Sequence, residues 1–72
     1  MNDYDKIKAL DNADGKCFFE CVVGYNGEIH RIWNALVLFE VPMYGGKPQY
    51  IGTYQFSDDG INEILSIIKS WY

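Results

Sequence analysis

The chain has 72 residues and a net charge of -4, ten carboxylates against six lysines and arginines. That length makes one domain, spanning 1–72, near the size at which a single core only just outweighs chain entropy. Nearly half of the residues are apolar, 49%, and 17% are aromatic, which excludes a disordered chain, while the acidic balance argues against direct binding of nucleic acid or an anionic membrane.

Residues 1–11 predict a short helix. Asn2 is a suitable N-cap, Asp3 and Asp5 fall where the helix dipole favours anions, and Tyr4, Ile7 and Leu10 recur every three residues. The run Asp11-Asn12-Ala13-Asp14-Gly15 is dense in turn formers and should end it. Lys16 to Tyr25 and Glu28 to Val41 are rich in β-branched and aromatic residues and flank Asn26-Gly27, a pair suited to a two-residue turn. They predict one long hairpin. The segment Pro42 to Pro48 then precedes a third strand, Gln49 to Phe56, and its prolines suit strand ends. Ser57 should cap a last helix, with Asp58 and Asp59 in its first turn and Ile61, Ile64, Leu65, Ile68 and Trp71 on one face. The fold class is therefore α+β: a three-stranded antiparallel β-meander with the C-terminal helix packed on one face and a short N-terminal helix, in the order α-β-β-β-α.

A turn at Asn26-Gly27 sets Tyr25 against Glu28, Val23 against His30 and Cys21 against Ile32. One face then carries Cys17, Phe19, Cys21, Val23, His30, Ile32 and Leu36 towards the helices. The other carries Phe18, Glu20, Val22, Arg31, Trp33 and Ala35, with Glu20 and Arg31 close enough to pair. Continued along the strand, this alternation leaves Val37, Phe39, Val41, Tyr50, Tyr54 and Phe56 uncovered. Either a β-bulge near Asn34-Ala35 turns them inward, which native packing favours, or the sheet has an open aromatic face.

The groups that carry chemistry all have plain structural explanations. His30 and Cys21 could form a nucleophile pair, yet nothing in the pattern orients the imidazole, and free cysteines are commonly buried. On one strand Cys17 and Cys21 lie about 13 Å apart, too far for a disulfide or a shared zinc ion. The pairs Asp3-Asp5 and Asp58-Asp59 read as helix caps, and the glycines form no phosphate cradle. The expectation is a protein that is not an enzyme and has no cofactor or metal. Reduced thiols and the absence of a signal-peptide pattern suggest cytoplasm.

The element order resembles the double-stranded-RNA-binding domain, but the last helix opens Ser57-Asp58-Asp59 and carries a single Lys69, where that family places phosphate-reading lysines. With Met1-Asn2-Asp3, the Asp11 to Asp14 loop, the Asn26-Gly27 hairpin and Asp58-Asp59-Glu63, the chain also resembles small acidic phage-encoded inhibitors, anti-CRISPR proteins among them. That resemblance implies a protein partner with a basic surface, met in a host cytoplasm. The leading expectation is an inhibitor or modulator that docks on a nucleic-acid-binding surface, with Asp11, Asp14, Asp58, Asp59 and Glu63 at phosphate positions and exposed aromatics as anchors. The alternative is a sheet-surface module whose Trp33, Tyr50 and Tyr54 face serves homodimerisation or the stacking of single-stranded bases.

Overall fold

The computed structural model describes residues 2–12, 14–20, 25–42 and 44–71. Two helices, α1 (Asp3–Lys8) and α2 (Asp58–Lys69), bracket four strands: β1 (Gly15–Glu20), β2 (Tyr25–Ile32), β3 (Ala35–Pro42) and β4 (Gln49–Gln55). The strands form one antiparallel sheet in the order β1-β2-β3-β4. The class is α+β as expected, with four strands in place of three. Among the described residues no helix is long and apolar enough to cross a membrane.

Both helix starts follow from local chemistry. The Asn2 side chain accepts from the Asp5 amide at 2.9 Å, and Ser57 Oγ accepts from the Gly60 amide at 3.2 Å, each satisfying a donor that the first turn leaves unpaired. Asp3 and Asp5 open α1, and Asp58 and Asp59 open α2. Ile61, Ile64 and Ile68 form the buried stripe of α2. They meet Ile7, Phe19, Ile29, Leu36 and Leu38 in a single core between the helices and one face of the sheet.

The strand boundaries differ from expectation at one decisive place. Asn26 and Gly27 lie inside β2, where Phe19 opposes Gly27 and Glu20 opposes Asn26. The long second strand is instead broken at Trp33-Asn34, and Ile32 pairs with Ala35 across that two-residue turn. Dimensions supply the reason. A strand from Glu28 to Val41 would run about 46 Å, beyond the 32 Å longest extent of the molecule, whereas twelve residues of α2 cover only about 18 Å. Folding the strand back matches the sheet to its helix.

Moving the turn reverses which side chains of β2 face the core. A register change of odd parity exchanges the two faces of a strand, and it has done so here. Ile29 and Arg31 point to the helices, while His30 and Ile32 stand on the open side, as the pairings Cys17↔Ile29 and Lys16↔His30 require. The expected Glu20–Arg31 contact across the sheet is replaced. Arg31 Nη1 donates to the Leu10 carbonyl at 2.6 Å, Nε donates to the Trp33 carbonyl at 3.0 Å, and the guanidinium lies 4.6 Å from the Phe56 ring centroid. The turn takes the place of the bulge expected at Asn34-Ala35. A bulge occurs elsewhere, between Leu38 and Phe39, where Leu38 pairs with Gly52 and Phe39 with Tyr50, leaving Ile51 extra.

Trp71 closes the other end of the core. Its ring lies where a side chain on Gly27 would stand, 2.7 Å from the position of a Cβ. Gly27 is thus required by close approach inside a strand and not by a turn, and the terminal aromatic locks α2 onto β2.

Candidate functional site

Two surfaces emerge, on opposite sides of the sheet. The first lies at the end marked by the β2–β3 turn. Trp33 is 82% exposed and sits at a φ of 58°, the one positive value among described residues other than glycine. Its amide donates to the Asp14 carboxylate at 3.2 Å, and the Phe56 amide donates to the Asn34 carbonyl at 2.9 Å. These two bonds pin the turn between the loop after α1 and the approach to α2. Asp11, Asn12, Asp14, Arg31, Trp33 and Asn34 line a shallow depression of about 450 Å³ there.

Of the residues expected at a partner site, this end gathers Asp11, Asp14 and Trp33. Asp58 stands at the start of α2, where Tyr4 Oη donates to its carboxylate and Lys8 Nζ lies 3.7 Å away. Asp59 and Glu63 are exposed on α2. Tyr50 and Tyr54 are separated by the sheet: Tyr54 packs against the core, and Tyr50, 61% exposed, stands on the helix-free side. The face of Trp33, Tyr50 and Tyr54 expected from the sequence is therefore not one surface. Arg31, which anchors the turn from beneath, is not among the expected site residues; Asn34, a turn former following the β-branched run, is the available signal.

Charge is unevenly distributed. The helices and the loop after α1 carry Asp3, Asp5, Asp11, Asp14, Asp58, Asp59 and Glu63, seven of the ten carboxylates, against Lys6, Lys8 and Lys69. The Tyr4 hydrogen bond, assisted by Lys8, holds the Asp58 carboxyl below its ordinary range, and the same bond holds the Tyr4 phenol above its own. The two shifts run in opposite directions, as a single hydrogen bond from a phenol to a carboxylate requires. A lowered carboxyl pKa contributes stability above the unfolded value, lost as pH falls through the folded one; a raised phenol contributes below its unfolded value and loses it on the alkaline side. Tyr4→Phe is expected to flatten both limbs, most simply seen as a weaker fall of the urea midpoint as the pH is taken down through and below the ordinary carboxylate range.

The second surface is the helix-free face of the sheet. Its rows are set by the register: Lys16, His30, Val37 and Thr53; then Phe18, Glu28, Phe39 and Tyr50; then Glu20, Asn26 and Val41. Phe39 meets His30 and Tyr50 edge to face, with ring centroids 5.3 and 6.2 Å away. His30 Nε2 lies 2.5 Å from Glu28 Oε1, and Tyr50 Oη lies 2.8 Å from Thr53 Oγ1.

His30 is thus tied to a carboxylate and an aromatic ring, and Cys21, its expected partner, lies outside the described residues. Cys17 donates its thiol to the Lys6 carbonyl at 2.9 Å. Burial pushes that thiol up against the opposing pull of Lys6, which leaves little thiolate at neutral pH. Among the described residues no three His, Cys, Asp or Glu side chains group as metal ligands would. No protein family, curated protein or solved structure matches the chain.

Proposed function

We propose that this protein is a non-enzymatic modulator that docks, through its acidic helical side and the Trp33 turn, on a basic nucleic-acid-binding surface of a protein partner. The observation that carries the reading is Trp33. A tryptophan held at positive φ costs about 1–2 kcal/mol relative to an ordinary backbone conformation, and here the cost supports no burial, since the ring stands in water. An exposed indole beside Asp11 and Asp14 provides a large anchor with a surrounding negative field, the combination that gives a hot spot and steers a cationic partner. The engagement of His30 and Cys17 in contacts within the fold further favours binding over catalysis.

Trp33→Gly separates anchor from scaffold. Glycine accepts the turn without strain, so the variant is expected to gain about 1 kcal/mol of stability in urea denaturation while losing partner binding. The binding test is capture from the native host on the immobilised chain, eluted with molar salt or with duplex DNA as competitor. Captured protein should leave with either eluent and should be absent from Trp33→Gly and from the Asp11→Asn, Asp14→Asn double variant. Capture indifferent to salt, to DNA and to all these substitutions would overturn the proposal.

A further inference from the structure

We infer that two copies of this chain associate face to face through the helix-free side of the sheet, about a two-fold axis that runs along the row Phe18, Glu28, Phe39 and Tyr50. The surface is independent of the Trp33 turn and the acidic helices, so it goes beyond the docking reading and leaves that side free. Phe18, Ile32 and Tyr50 are 46%, 50% and 61% exposed. Large side chains alternating out of one uncovered sheet are the usual inner face of a two-sheet sandwich.

Register identifies the occupant. A two-fold axis along the central row brings each residue two positions to one side against the residue two positions to the other. On β1 this sets Lys16 against Glu20 of the second copy, and Glu20 against its Lys16. On β2 it sets His30 against Asn26, and on β3 Val37 against Val41. Opposite charges meet on one strand, polar groups on the next and apolar groups on the third, as an isologous interface requires. Along the axis Phe18, Phe39 and Tyr50 meet their own copies. Glu28 is the one like-charged pair, and its side chain is only 16% exposed, with Oε1 against His30. Among the described residues a basic partner would find Glu20 and Glu28 here, offset by Lys16, and single-stranded nucleic acid would find one lysine. A second copy fits the pattern better than either.

The area sets the strength. Four strands about 4.8 Å apart and about seven residues long give a face of roughly 19 by 23 Å, below the approximately 800 Å² that each partner buries in a standard interface. The dimer should be weak and concentration-dependent.

Sedimentation equilibrium from micromolar to millimolar chain concentration tests the inference on the intact protein. Wild type is expected to pass from monomer to dimer. Lys16→Glu and Glu20→Lys should each weaken association by about tenfold, because each places two like pairs in the interface. An equimolar mixture of those two variants should form a heterodimer at least as tight as wild type, and Glu28→Gln should tighten the homodimer. Tyr50→Ser should abolish association with an unchanged circular dichroism spectrum, and Trp33→Gly should leave it intact. A strict monomer at millimolar concentration overturns the inference. So does a mixture of the two charge variants no tighter than either alone, or a monomer whose Tyr50 is protected by a short oligothymidylate instead.

Discussion

Gly60→Ala is expected to unfold the domain. Gly60 is the third residue of α2 and is buried; a Cβ there would stand 2.0 Å from the Gln55 carbonyl oxygen and 3.1 Å from its carbonyl carbon. Neither atom can give way, since Gln55 ends β4 in register with Ala35 and the next amide, Phe56, is bound to Asn34. Helix propensity opposes this outcome, favouring alanine over glycine by about 1 kcal/mol. Sterics dominate, because relieving a backbone overlap of this depth means pulling α2 from the sheet edge and opening the core at Ile61 and Ile64. A domain of this length has roughly 4–10 kcal/mol of stability in total, and large losses arise from just this kind of overpacking. Loss of amide dispersion in the NMR spectrum is the readout. Gly45→Ala is the control: it has a φ of 98° and nothing within 4 Å of its Cβ, so it should cost only about 1 kcal/mol of backbone strain and remain folded. If Gly60→Ala melts like wild type, the close passage of α2 over the end of β4 is wrong.

The second large effect contrasts two neighbours in the chain. Leu38 is fully buried at the centre of the core, and truncation to alanine should cost about 2–5 kcal/mol through lost transfer energy and an unfilled cavity. Phe39, the next residue, faces the other side of the sheet between His30 and Tyr50. Its replacement by alanine should cost about 1 kcal/mol at low concentration, mainly the loss of edge-to-face ring contacts. Chemical denaturation of both variants in dilute solution measures the difference. Equal losses would mean that the register of β3, and with it both surfaces, has been misassigned.

That contrast also separates what was legible in the sequence from what was not. Caps, dipole-matched carboxylates and a 3.6-residue apolar period are local signals, and each depends on residues within four positions of one another. Asn2, Ser57 and the Ile61, Ile64 and Ile68 stripe were therefore readable, as was the division of β1 into Cys17 and Phe19 against Phe18 and Glu20. The open aromatic face was visible only as a conflict: Val37, Phe39 and Tyr50 had no place in a core built on one face. A bulge at Asn34-Ala35 was the expected resolution, and a turn one residue earlier leaves the face open. Tyr54 and Phe56 went the other way, into contact with the core.

The amino-acid sequence by itself determined an α+β class, the two helices with their caps, the β-rich middle and the concentration of acid on the helical segments. All of these arise from interactions short in sequence or from composition. Tertiary structure decided where the β-rich middle turns, and so which side chains meet the helices. Asn26-Gly27 is the better local turn, and Trp33 at positive φ is a poor one. The poorer turn is used because it produces strands short enough for α2 to cover and places Ile29, Leu36 and Leu38 in one core with the helix stripe. Burial of those side chains contributes about 1.5–3 kcal/mol each, which exceeds the local preference between turns.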